Sequence, residues 1–162
     1  MSDAAPSPAP EPGAEPAAES LTSTAQIAAF LAARMCHDFI SPVSAIVSGL
    51  DLLEDESAQD MRDDAIGLIA ASGRKLADLL AFTRVAFGAS ASADTFDPRE
   101  LETLAQAIFA HQRASLVWTV EPQSLDKPSA RAILNLAQMA GAALPMGGEA
   151  RVRAVADGGG GE

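Results

Sequence analysis

Cysteine is nearly absent: Cys36 is the only one among 162 residues. That excludes an internal disulfide framework, leaves no cysteine cage for a metal, and suits a reducing cytoplasm. Basic residues are scarce too, 11 Lys and Arg against 22 Asp and Glu, for a net charge of −11. So acidic a chain argues against the basic patches that bind nucleic acid or anionic lipid, and its expected partners are proteins or small ligands. No apolar run approaches the 18 or so residues needed to cross a bilayer. The N-terminus is acidic rather than a basic stretch before an apolar one. A soluble, cytoplasmic protein is expected. Histidine occurs only twice, at His37 and His111.

Residues 1–22 form the first region, an Ala/Pro/Glu-rich tail with prolines at 6, 8, 10, 12 and 16. Proline at nearly alternate positions removes backbone donors and blocks helix, so a disordered tail is expected. Ser23 or Thr24 can cap the helix that follows. From there to Glu54, Ile27, Phe30, Leu31, Met35, Phe39, Val43, Ile46, Val47, Leu50 and Leu53 recur three and four apart, the period of an amphipathic helix. Pro42 lies inside it and predicts a bend or loosened turn. After a short acidic turn, with Ser57 as a candidate cap, a second helix is expected over 58–87. Two long helices joined so tightly lie antiparallel. Their apolar stripes are too wide for one hairpin to bury alone, which predicts a dimer, two hairpins forming a four-helix bundle, the alternative being a monomeric hairpin packed on the C-terminal part.

Residues 89–97 read as a linker. Asp97-Pro98-Arg99-Glu100 is a helix start, with a cap and proline at the first position. That helix is expected to reach Gln112, a strand to cover 115–121, a helix 129–144 and a second strand 149–156. The fold class expected is α+β: a helical hairpin over 23–88, then a small α/β sandwich over 98–162.

Chemistry begins at His37. Steps of three or four along the helix through it give Gln26, Phe30, Ala33, Ser41, Ser44 and Ser48, polar or small apart from Phe30, so the imidazole should face solvent where another protein can approach. A neutral imidazole is a nucleophile near neutral pH and can accept a phosphoryl group. Asp38 can orient the ring or hold its proton, and also stands four residues from Arg34, the spacing of a helical ion pair. Cys36 is expected to pack as a small apolar side chain. His111 is expected to be a surface residue near a helix C-terminus, and Trp118 a strand core residue.

His37-Asp38-x-x-Ser41-Pro42 in the first helix of such a hairpin resembles the phosphoacceptor box of two-component histidine kinases. The longer run MCHDFISPVSAIVSGLDLLED, with SAQDMRDDAIGLIAASGRKLADLLAFTRVAFGASAS after it, resembles the ChpT-type histidine phosphotransferases. The resemblance implies that His37 is the phosphoacceptor and Asp38 its adjacent acid, with Arg34, Ser41 and Pro42 in support. Ile40, Val43, Ser44, Val47, Ile69 and Lys75 become candidates for binding receiver domains. It implies relay partners: a hybrid-kinase receiver (CckA-like) upstream, and response regulators (CtrA- and CpdR-like) of cell cycle regulation downstream. The second domain would be a degenerate histidine-kinase ATPase-like sandwich. Aligning Pro145-Met146-Gly147-Gly148 with the end of a kinase nucleotide box puts Met139 where a magnesium-binding asparagine belongs and Ala142 where lysine is usual. A thioether and a methyl hold neither a hard cation nor a phosphate. No cofactor is therefore expected, magnesium coming from the receiver. The family has at least a further strand and helix after the terminal glycines, so the sandwich is expected to be truncated and marginal, with an exposed sheet edge.

The function expected is histidine phosphotransfer between receiver aspartates, a phosphorelay intermediate and not an ATP-dependent kinase. The competing readings are an active histidine kinase and a non-catalytic dimeric adaptor in which His37 is incidental.

Overall fold

The computed structural model describes residues 16–88 and 94–156, with side chains from residue 24 onward. The first fifteen residues of the expected tail, most of the expected linker and the terminal glycines lie outside the described residues. The protein is α+β, mostly helical with little sheet. It divides into two units, Met1–Asp38 and Phe39–Glu162.

Helix α1 spans Pro16–Glu54. It starts earlier than expected, because a proline is tolerated in the first helical turn, where its missing N–H has no intrahelical partner to lose. The helix also continues through Pro42 without interruption. Among the described residues one segment, Thr24–Glu54, is long and apolar enough by length and composition to cross a membrane. The sequence reading expected no such stretch. Alanines and widely spaced charges make it apolar on average, with no continuous greasy run. That is weak support for a span, since a helix that packs on other helices has the same composition.

A 3-10 turn, Glu56–Met61, follows α1. Its cap is Asp55, not Ser57: the Asp55 carboxylate accepts from the Ser57 backbone N–H at 2.8 Å and from the Ser57 hydroxyl at 2.6 Å. Helix α2 (Arg62–Ala86) then runs back along the Phe39–Glu54 part of α1. The antiparallel crossing is fixed at two levels. A Cβ at Gly49 would lie 2.6 Å from Ile69 Cγ1, so only glycine lets the helices approach there. At the other end Phe39 packs against the core that contains Leu79 and Phe82.

After α2 come β1 (Thr95–Phe96), α3 (Pro98–Phe109), β2 (Ala114–Val120), β3 (Leu125–Asp126), α4 (Lys127–Ala142) and β4 (Gly148–Ala154). Asp97 caps α3, its carboxylate accepting from the Arg99 backbone N–H at 2.8 Å. Asp126 caps α4 through the Ser129 N–H at 2.9 Å. β2 and β4 pair in parallel, from Ala114 opposite Gly148 to Val120 opposite Ala154. β1 and β3 form a second, antiparallel pair too short for periodicity to reveal.

The core lies between the helices and the β2–β4 pair. Leu101, Ala105, Ile108 and Phe109 of α3 and Ala130, Leu134 and Ala137 of α4 meet Leu116, Ala150 and Val152 of the strands. Trp118 packs partly buried against this cluster, near what was expected. Leu79, Phe82 and Ala86 of α2 belong to the same core, so this helix packs on the C-terminal part. The last turns of α2 thus form a third helix over the C-terminal layer.

Candidate functional site

In the unit ending at Asp38, three side chains of α1 form one cluster. The Arg34 guanidinium donates through Nε to Asp38 Oδ2 at 3.0 Å and to Oδ1 at 3.2 Å. His37 Nδ1 lies 3.3 Å from Asp38 Oδ1. A carboxylate only accepts, so Nδ1 is the donor in this contact, and in a neutral ring Nε2 then carries the lone pair. Consecutive helical residues do not face each other squarely, which accounts for the long distance. Arg34 pins the carboxylate, and the carboxylate in turn fixes the tautomer and plane of the ring. The imidazole itself is 85% exposed, against 22% for the Asp38 side chain. An uncrowded, oriented ring with a free Nε2 is a nucleophile that a second macromolecule can reach.

Cys36, next to it, is exposed, contrary to the expected packing. Its apolar character does not bury it, because it lies on a stretch of α1 that presents most of its surface to solvent.

The remaining candidates lie in the larger unit. Ser41 and Ser44 are exposed, whereas Pro42 is buried. Ile40, Val43 and Val47 are large exposed apolar side chains. Ile69 and Lys75 on α2 are half-buried, and Ile69 is the residue that Gly49 accommodates.

Residues aligned with a kinase nucleotide box have other surroundings. Met139 is 67% exposed on the outer side of α4. Asn135, one turn too early for the asparagine of that box, serves the structure: its amide donates to Ala86 O at 3.1 Å and to Arg131 O at 2.8 Å. Among the described residues, no group of three or more His, Cys, Asp or Glu is placed to hold a metal. A cavity of about 420 Å³ between the start of α3 and the end of β2, lined by Asp97, Arg99, Val120, Glu121 and Gln123, includes none of the candidate residues.

His111 has a partner that the sequence did not suggest. Its Nε2 donates to Asp78 Oδ2 at 2.7 Å, joining the end of α3 to α2. A separation of 33 residues leaves no local spacing by which to find such a pair.

Known proteins give these features a context. Residues 98–162 match the family model of the histidine phosphotransferase C-terminal domain. The resemblance to ChpT-type histidine phosphotransferases, expected over roughly residues 24–157, holds in sequence and in fold. The chain is 36% identical over 132 residues to protein phosphotransferase ChpT of Brucella abortus (strain 2308), an alignment covering 81% of this chain and 62% of that protein. Its fold is similar to the solved structure of a bacterial phosphotransferase, with a TM-score of 0.69 and 34% identity, over 79% of this chain and 60% of that one. The chain therefore spans about six-tenths of the length of these relatives.

Proposed function

We propose that the protein is a phosphorelay intermediate: His37 accepts a phosphoryl group from the aspartyl phosphate of one receiver domain and passes it to the aspartate of another. The observation that carries this reading is the His37 ring, 85% exposed with Nδ1 held by Asp38, in a chain similar to a phosphotransferase of this name. Nε2 attacks phosphorus, the bond from phosphorus to the receiver aspartate breaks, and Asp38 stabilises the positive charge that develops on the ring. The transition state is loose and needs mainly alignment, which an oriented ring on a helix supplies. Magnesium belongs to the receiver, where it neutralises charge on the phosphoryl oxygens.

In this reading the hairpin is the dimerisation and phosphotransfer domain, within residues 23–88. The exposed apolar residues Leu50, Ile66 and Leu80, outside the receiver-binding set, support a second hairpin completing a four-helix bundle. Residues 98–162 are a degenerate ATPase-like domain that does not bind ATP. Exposed Met139 supports this, since a thioether is a poor ligand for magnesium. Partners are receiver domains of the CckA, CtrA and CpdR types, contacted through Ile40, Val43, Ser44, Val47, Ile69 and Lys75, and the setting is the cytoplasm.

The test is transfer of label from a phosphorylated receiver. Label should reach the protein, be acid-labile and base-stable as phosphohistidine is, and be lost in His37→Ala. Label that persists in that variant, or that comes from ATP alone, rejects the proposal.

A further inference from the structure

The geometry points to a fixed clasp between α2 and the C-terminal layer, in which His111, Asp78, Asn135 and Arg131 act as positioning residues. Two polar anchors grip α2 from different elements. His111, just beyond α3, donates to Asp78 Oδ2 at 2.7 Å. Asn135 of α4 donates to the carbonyl of Ala86 at 3.1 Å. That carbonyl belongs to the last turn of α2, where no intrahelical donor remains for it. Eight residues separate the anchors, about 12 Å along a helix at about 1.5 Å per residue.

A single anchor would leave a pivot, whereas two at this spacing define an angle. Between them Phe82 and Ala86 are fully buried and Leu79 nearly so, so rotation about either anchor would open the core. Arg131 closes the end. Its guanidinium lies against Gly88, which has φ +86°, and a Cβ at that position would overlap it. Arg131 Nε is buried without a hydrogen-bond partner, so the side chain's place here rests on packing against Gly88 and not on a polar anchor. The second histidine is thus structural. Any partner that touches both α2 and the C-terminal layer meets one preset surface, not two hinged ones. The clasp does not depend on what His37 does.

Distances between spin labels test it, using the full chain with Cys36→Ser and labels at Arg62→Cys on α2 and Thr119→Cys on β2. Labelled protein is diluted into unlabelled chain so that distances within one chain are read. The parent should give one narrow distribution. Asp78→Ala combined with Asn135→Ala should widen it about twofold while helical content stays unchanged, with each single change having less effect. His111→Gln, whose amide can still donate to Asp78, should stay narrow where His111→Ala does not. A broad parent distribution overturns the clasp, and so does an unchanged width in the double variant. If the double variant fails to fold, Asp78→Ala alone decides by amide exchange in the last two turns of α2: faster exchange there than in α4 supports the clasp, and equal exchange rejects it.

Discussion

The two histidines are each paired with an aspartate, and they differ in almost every other respect. His37 meets its neighbour in sequence at 3.3 Å and is 85% exposed. His111 meets an aspartate 33 residues away at 2.7 Å, with its side chain 25% exposed. In the first pair the acid fixes a ring whose other nitrogen is open to solvent. In the second the hydrogen bond joins two elements of one core. The lesson is that a His–Asp contact has no chemical meaning by itself: what the ring's second nitrogen faces, and what the acid is attached to, decide whether the pair reacts or holds.

The largest effect expected is at that contrast. His37→Ala should abolish receiver-derived label, whereas His111→Ala should retain the capacity to take it up. If both variants lose label equally, the division between a reactive and a structural histidine fails.

Next comes the core that the second pair borders. Phe82, 1% exposed, is among the largest fully buried side chains. Phe82→Ala should cost about 3–5 kcal/mol in chemical denaturation. A loss below about 1 kcal/mol would mean that α2 is not part of the C-terminal core.

A smaller change is expected at the entry to α3. Asp97→Ala removes the cap on the Arg99 N–H and should lower stability by about 1 kcal/mol, with Asp97→Asn recovering most of it. Equal losses in the two variants would place the effect elsewhere.

The smallest effect concerns pH. Hydrogen bonds from the Ser129 side chain, and then its backbone, hold the Asp126 carboxyl below the usual aspartate value. A pKa depressed in the folded state contributes stability that is present above the unfolded value and disappears as pH falls through the folded one. Asp126→Asn should therefore flatten the melting temperature only in acid, below about pH 4. Parallel curves for the two proteins down to about pH 2 would dispose of this assignment.

Much of the fold is legible in the residues themselves. Apolar side chains at intervals of three and four mark α1 and α2, and Asp97-Pro98 marks the start of α3. The Arg34–Asp38 pair and the exposed ring of His37 follow from spacing alone, because a helix converts sequence offset directly into geometry. Three features do not follow. The start of α1 at Pro16 reverses a reading in which repeated prolines outweighed helix-tolerant positions. Exposed Cys36 shows that apolar character does not specify burial when the surrounding helix lacks a cover. The β1–β3 pairing spans two residues per strand, shorter than any period.

The amino-acid sequence by itself determined the hairpin, the order of the helices and of the two longer strands, and the placing of His37 beside an acid, because each depends on contacts within a few residues along the chain. Tertiary structure alone decided that the end of α2 joins the C-terminal core, that Asp78 partners His111, and that Asn135 donates to the last turn of α2. Those contacts join residues 33 and 49 positions apart. At such separations the partner is chosen by how buried faces fit together and not by any local spacing.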